Sequence, residues 1–382
     1  MPGPLTGIRV VEMAGIGPGP FACMLLSDMG AEVIRVDRAS GGNVLSDIGD
    51  VMNRGRKSIA VDLKNPEGVK AVLKLVATAD ILIEGFRPGV MEKLGLGPDV
   101  CLQVNPRLVF GRMTGWGQQG PLSHAAGHDI NYIALTGALD SIGRADSGPI
   151  PPLNLVGDFG GGSMYLIMGV LAAYISGQTS GKGQVVDAAI TDGVISLMTC
   201  MQGFKEMGMW EVGRQRNMLD GGAHYYDTYR CADGKYVSIG SIEPQFYALL
   251  IEKLGVDLDA GDFMAQFDKA KWPGHKQVIA DRISEKTCAE WCEIMEGSDV
   301  CFAPVLDMNE APRHPHNKAR NSFVELNGIV QTAPAPRFSE TPGKIQGAPV
   351  APGSDTRAVL SSLGLDVDAL IAAGAVNQLE AS

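Results

Sequence analysis

The first third of this chain alternates in a way that leaves few folds open to it. Short apolar runs at 8–13, 32–37, 58–62, 81–84 and 108–113 are separated by other segments, of which 21–29 and 67–78 read as helices. Runs this short and mainly apolar suit buried strands. Strands separated by helices imply an α/β fold with a parallel sheet. Such sheets hold ligands in the loops beyond their C-terminal strand ends.

The pattern changes near residue 220. Two apolar runs, 225–232 and 235–240, flank Asp233-Gly234, a pair suited to a type I′ hairpin turn. Helical segments follow at 245–254, 275–284 and 288–296. This predicts a large domain over 1–200, a linker over 201–224 and a small α+β domain over 225–310. A return linker (311–329) then leads to a segment (330–382) that completes the large domain, extended at first and ending in two short helices.

Composition limits the partners. A net charge of −11 excludes a uniform attraction to nucleic acid, so an anionic ligand needs a local basic cluster. Seven scattered cysteines suit reduced thiols in the cytoplasm, and no spacing completes a zinc set. The first residues lack signal-peptide character, and the apolar run 164–175 is too short to span a bilayer, so no membrane is expected. The final Leu379-Glu380-Ala381-Ser382 is no evident peroxisomal address.

Several segments can carry chemistry. Gly15-Ile16-Gly17-Pro18-Gly19-Pro20 invites a dinucleotide reading, but Pro20 replaces the third glycine and two prolines remove N–H donors; a tight turn opening a helix fits better. Arg35, Arg38, Arg54, Arg56, Lys57, Lys64, Arg87 and Lys93 are candidates for phosphate contact or for a solvated face. His128 opens the segment Gly127-His128-Asp129-Ile130-Asn131-Tyr132, and lies four residues from Tyr132. Asp158, within Gly157-Asp158-Phe159-Gly160-Gly161-Gly162, precedes a long apolar helix; it suits an N-cap, with free amides behind it that could hold an oxyanion. Glu243 follows the hairpin as a helix cap, and His224, His314 and His316 read as turn or solvent histidines.

Together these segments resemble the α-methylacyl-CoA racemases of the family III CoA-transferase superfamily. The resemblance spans nearly the whole chain: VVEMAGIGPGP (10–20), IRVDR (34–38), VDLK (61–64), EGFRPG (84–89), MTGWGQ (113–118), GHDINY (127–132), PPLNLVGDFGGGSM (151–164), GKGQVVDA (181–188) and IEPQFY (242–247). It implies a Rossmann-like large domain, a small domain and an interlocked homodimer whose active site is shared between subunits. His128 and Asp158 match the catalytic acid/base pair, and Glu243 a supporting carboxylate supplied by the partner chain. Coenzyme A would meet Arg38, Val61, Asp62, Leu63, Lys64, Gly85, Phe86, Arg87, Lys93, Gly127, Asp129, Ile130, Asn131 and Tyr132. Lys93 keeps a positive charge without the planar fork of arginine.

The implied reaction interconverts (R)- and (S)-2-methylacyl-CoA through an enolate. It needs no cofactor, since coenzyme A is part of the substrate. One group on each face of the enolate removes or returns the α-proton, and Glu243 would raise the Asp158 pKa by like-charge repulsion. Family transferases instead use the matching aspartate as a nucleophile, through an acyl-aspartyl intermediate. His128 distinguishes the two, because transfer needs no second base. A non-catalytic acyl-CoA-binding protein would keep the basic cluster without a use for His128, Asp158 and Glu243 together.

Overall fold

A computed structural model describes residues 3–40, 51–258 and 263–378; the C-terminal tetrapeptide read above lies outside them. The strands are β1 (Arg9–Met13), β2 (Glu32–Arg38), β3 (Arg56–Val61), β4 (Ile81–Glu84), β5 (Val109–Thr114), β6 (Gln184–Ala189), β7 (Tyr226–Arg230), β8 (Tyr236–Gly240), β9 (Phe302–Val305), β10 (Phe323–Leu326), β11 (Ile329–Thr332) and β12 (Val376–Asn377). The helices that position the site are α1 (Pro18–Asp28), α2 (Pro66–Val76), α3 (Val90–Lys93), α4 (Pro98–Val104) and α5 (Asp129–Ala134). The chain divides into two compact units.

The first unit comprises 1–136, 153–197 and 316–382. Its sheet runs β12-β3-β2-β1-β4-β5-β6, parallel except where β12 pairs antiparallel with β3. The strand order reverses between β1 and β4, so the loops after these two strands part and leave a crevice. Val10, Val11, Ile34, Ile59, Leu82 and Phe110 are buried along the sheet, as strands covered on both faces require. Helix α2 starts where Asn65 accepts from the Glu67 N–H at 3.0 Å and Pro66 occupies the first helical position.

The sheet also buries charge, which changes the reading of the basic run. Arg35 pairs with Asp37 at 2.7 Å, Arg54 with Asp28 at 2.5 Å and Arg56 with Glu12 at 3.0 Å, all inside the fold. These three arginines are internal ties and no phosphate surface. Arg38, Lys64, Arg87 and Lys93 remain exposed.

The apolar segment after Gly157 is longer than expected. A π-helical turn, Leu155–Ser163, runs directly into α6 (Met164–Ser180). The combined run Leu155–Ser180 has the length and apolarity to cross a membrane, but α6 buries Leu166, Ile167, Val170 and Ala173 and packs on β5 and β6 as a core helix does. Next comes α7 (Ile190–Leu197), packed against the π-turn; a Cβ on its Gly193 would stand 1.9 Å from the Gly161 carbonyl oxygen.

The second unit comprises 137–152 and 198–315, so residues 137–152 fall outside the large body in which the sequence reading placed them. Long-range polar contacts explain the grouping. Arg144 pairs with Asp227 at 2.6 Å, Arg214 pairs with Asp140 at 2.9 Å, and the Ala145 N–H donates to Gln215 at 3.0 Å. The sheet β7-β8-β9 is antiparallel over a core that includes Tyr225, Tyr229, Val237, Tyr247, Trp272 and Trp291. The hairpin turn is not type I′. The Gly234 N–H donates to Cys231 O at 3.0 Å and the Cys231 N–H to Lys235 O at 2.8 Å. Gly234 has φ +81° while Asp233 is not left-handed, so the loop has three residues with glycine at the bulge.

Two histidines depart from the solvent reading. His314 Nε2 lies 2.8 Å from Glu296. His224 is fully buried, its Nε2 2.8 Å from the Tyr247 hydroxyl and its ring edge-on to His275. Burial lowers the His224 pKa to about 3, with His275 and Lys276 adding to the effect. The unfolded chain therefore takes up a proton as pH falls below about 6.5, and the folded chain does not. Stability should be level above that pH and fall by up to about 1.4 kcal/mol per unit toward pH 3 from this residue. Urea titrations from pH 7 to 4 should show a shallower acid loss in His224→Gln; an unchanged slope would remove His224 as its source.

Candidate active site

The crevice at the strand-order reversal opens into a cavity of about 740 Å³, within the range of small-molecule sites. Its lining comes from the first unit: residues 12–20 at and after the end of β1, Asp37 and Arg38 at the end of β2, residues 83–87 around the end of β4, Met113–Gly115, Gly127, His128, Tyr132, Asp158 and Ile190. An adjoining groove of about 360 Å³ shares Gly85, Phe86, Arg87, His128 and Tyr132 and adds Trp116 and Asn131.

His128 caps α5 in an extended conformation and is exposed to the cavity. Its backbone N–H donates to Asn131 Oδ1 at 3.0 Å, and its carbonyl accepts from the Asn131 N–H at 2.8 Å. Asn131 therefore holds His128 at the head of the helix, as a capping box does. Tyr132 donates its hydroxyl to Gly127 O and meets the Trp116 ring edge-on at 4.8 Å. That bond closes the loop bearing His128 against its own helix.

Asp158 is no N-cap. It sits within the π-turn, and π-turns recur at functional sites because their wider backbone turns a side chain out of the ordinary helical face. Asn154 donates to Asp158 Oδ2 at 3.2 Å. Across the cavity Gly17 has φ +70°, and a Cβ there would lie 3.3 Å from Asp158 Oδ2. The turn before α1 thus lets the carboxylate and a ligand come close. Burial raises the Asp158 pKa; the Asn154 hydrogen bond lowers it, the Asp129 charge raises it and the His128 charge lowers it.

The amides behind Asp158 are not free for an oxyanion. The Asp158 N–H donates to Asp129 Oδ1 at 2.7 Å, Gly157 N–H bonds the same carboxylate, and the Phe159 N–H donates to Asn154 O at 3.3 Å. Within the described residues, no acceptor takes the N–H of Gly15, Ile16 or Gly17, or that of Asp129 in the first turn of α5. Those donors are available to an oxyanion.

The structure gathers part of the residue set singled out above. Arg38, Gly85, Phe86, Arg87, Gly127, His128, Tyr132 and Asp158 line the cavity, and Asn131 the groove. Val61 is buried in β3, Leu63 packs on the core, Asp62 Oδ1 accepts from the Lys64 N–H at 2.9 Å, and Lys64 and Lys93 are exposed; these five line neither space. Asp129 is buried beside Asp158, Ile130 is exposed, and neither lines the cavity. Glu243 is the exposed N-cap of the helix Pro244–Leu254 in the second unit. Sequence reading missed Asn154, although it stands one helical turn before Asp158, and it took Arg56 for a phosphate or surface candidate, whereas Arg56 anchors the glycine turn from inside.

The family model for CoA-transferase family III matches residues 5–356. The chain belongs to CoA-transferase family III. It is 47% identical over 341 residues to the alpha-methylacyl-CoA racemase of Mus musculus, covering 88% of this chain and 87% of that protein. With the alpha-methylacyl-CoA racemase of Homo sapiens it shares 45% over 339 residues, 88% and 87% of the two chains. The crystal structure of a CAIB/BAIF family protein from Brucella suis superimposes with a TM-score of 0.81 at 25% identity, over 95% of this chain and all (100%) of that one. The fold is the family's, and the cavity sits at its strand-order reversal.

Proposed function

We propose that this protein is an isomerase that interconverts (R)- and (S)-2-methylacyl-CoA by 1,1-proton transfer, with His128 and Asp158 as the acid/base pair. The observation that carries this reading is an imidazole and a carboxyl lining one cavity, close enough for His128 to bias the Asp158 charge. The high identity to two proteins named alpha-methylacyl-CoA racemase supports it.

The α-carbon of the bound thioester lies between the two groups. Neutral His128 takes the α-proton and protonated Asp158 returns one to the opposite face; the reverse direction uses the opposite protonation states. Burial keeps Asp158 protonated to higher pH, so the carboxyl is present as a proton donor where an ordinary carboxylate would be ionised. The enolate oxygen is met by unpaired backbone donors from the 15–17 turn or the first turn of α5, each worth about 3–4 kcal/mol when well aimed. Arg38, at the C-terminal end of β2, and Arg87, in the loop after β4, face the phosphates of coenzyme A.

The substrate brings its own coenzyme A, so no further cofactor is assigned. We also propose a homodimer. Leu153, Leu155, Met168 and Ile175 leave more than half of their surface exposed in the first unit, an apolar area suited to a partner chain. Glu243 from that partner would support Asp158. Seven free thiols fit a cytoplasmic location.

The test is incubation of each 2-methylacyl-CoA enantiomer in heavy water with no acceptor acid. Both should gain α-deuterium and converge on one mixture. No exchange, together with an acyl-enzyme trapped by hydroxylamine, would assign transfer through Asp158 instead.

A further inference from the structure

The structure assigns Asp129 as the positioning residue that sets the Asp158 carboxyl against His128, in place of a contact to coenzyme A. The inference deepens the proposed racemisation and rests on that reading.

Asp129 follows His128 directly in the chain, and its side chain reaches the other half of the pair. Its Oδ1 accepts the Asp158 N–H at 2.7 Å, and the neighbouring Gly157 N–H also stabilises the same carboxylate. One carboxylate oxygen therefore joins the head of α5 to the π-turn through the backbone of the residue that does the chemistry. The joint has no slack. A Cβ on Gly157 would stand 2.1 Å from Asp129 Oδ1, so position 157 admits only glycine while this contact exists. Asp129 is buried, and its Oδ2 has no hydrogen-bond partner. A carboxylate kept there at the cost of desolvation calls for a role that burial alone does not supply.

That role has a mechanical and an electrostatic part. The two backbone bonds fix where the Asp158 side chain leaves the turn, and a displacement of about 1 Å in a reacting group costs about 10²-fold in rate. The Asp129 charge also opposes ionisation of Asp158, while His128 on the same helix favours it. Burial raises the pKa of Tyr132, one turn along α5, the Asp158 charge raises it further and the Arg87 charge lowers it. The turn before α1 presents Gly17 to the carboxylate, and α7 carries Asp192, which does not line the cavity. The neutral Asn154 completes the surroundings. Asp129 is thus the carboxylate within this chain that keeps Asp158 protonated to higher pH.

Two substitutions separate the parts. Asp129→Asn retains an oxygen that can accept both N–H groups but removes the charge. It should keep kcat within about tenfold of wild type, and the acid limb of the kcat/KM profile should move down by about half a unit or more. Asp129→Ala removes the acceptor and leaves two N–H groups unpaired. It should lose about 10²-fold in kcat with KM changed by less than about threefold. Thermal melts of both variants confirm that folded protein is compared, and Gly157→Ala gives an independent route to the same joint, with the kcat loss of Asp129→Ala expected.

An acid limb that stays in place in a folded Asp129→Asn enzyme would overturn the electrostatic part. A folded Asp129→Ala enzyme with near wild-type kcat, or one whose loss is all in KM, would overturn the mechanical part and return Asp129 to coenzyme A binding. Wild-type α-deuterium exchange is measured alongside. Its absence refutes the racemase reading itself, whereas exchange in the wild type with unaltered variants refutes the Asp129 assignment alone.

Discussion

Asp158→Asn should abolish racemisation while leaving one-sided exchange behind. In a two-group mechanism each group serves one face of the enolate. Removing the carboxyl leaves His128 able to take and return a proton on its own face. The variant should lose about 10²–10⁴-fold in interconversion, the range for losing a positioned acid or base. One enantiomer should still gain α-deuterium without inverting, and the other should not react. His128→Ala should show the mirror outcome, with the enantiomer preference exchanged. Chiral analysis of the product with mass detection of deuterium reads both quantities. Loss of all exchange in one variant together with full racemisation in the other would indicate a single-group mechanism and refute the pair. The double variant should do no worse than the weaker single variant by more than about tenfold, since groups that act as a unit are not additive.

The second large effect is expected away from the chemistry. Arg56→Met should destabilise the first unit by about 3–5 kcal/mol, because it strands a buried carboxylate. Glu12 is fully buried, its Oε2 accepts from Arg56 Nε at 3.0 Å, and its Oε1 has no partner. The same guanidinium donates to the carbonyls of Met52 and Pro20, and to Arg54 O at 3.1 Å. Pro20 lies in the first turn of α1, so the arginine ties β1, β3 and the glycine turn of the cavity into one body. A urea titration should show the midpoint falling with an unchanged slope. Adding Glu12→Leu should restore much of the loss, since an apolar pair of similar volume can replace a buried ion pair. A loss below about 1 kcal/mol in Arg56→Met would mean that water reaches Glu12 and that the tie is weak.

Strands β1 to β5 were legible because they are buried on both faces; β6, exposed at Gln184, Val185 and Asp187, and the short β12 were not read as strands. Val10, Val11, Ile34, Ile59, Ile81 and Leu82 all sit in the core, so the strands had to be written as apolar runs. Once those strands are parallel and split by helices, a ligand site beyond their C-terminal ends follows from topology. The GHDINY and GDFGGGS segments stood out for the same local reason: polar residues among glycines at points where a chain must turn. The Asp-Gly hairpin was legible as a hairpin but not in its turn type. Loop length depends on which residues across β7 and β8 pair, and there the Cys231–Lys235 bond leaves three residues between the strands.

Arginines were harder to sort, since Arg35, Arg54 and Arg56 have the same side chain as Arg38 and Arg87. Their fates depend on whether a carboxylate such as Asp37, Asp28 or Glu12 comes within 2.5–3.0 Å along the same strand, from α1 or across the sheet. Nothing local to Arg54 announces Asp28, which is 26 residues away in sequence.

The sequence alone therefore determined an α/β fold, its first five strands and the hairpin of the second unit, and His128 and Asp158 as the residues worth testing. The fold follows from local pattern, apolar runs and prolines that start helices; the choice of the pair follows from the ordered set of motifs shared with the racemase family. The tertiary structure decided what surrounds that pair. It placed Asp158 in a π-turn instead of at a helix cap, occupied amides beside it, and set the Asp129 carboxylate against the Asp158 backbone. Those outcomes depend on distances between segments far apart in the chain, which side-chain chemistry and spacing along one strand of sequence do not encode locally.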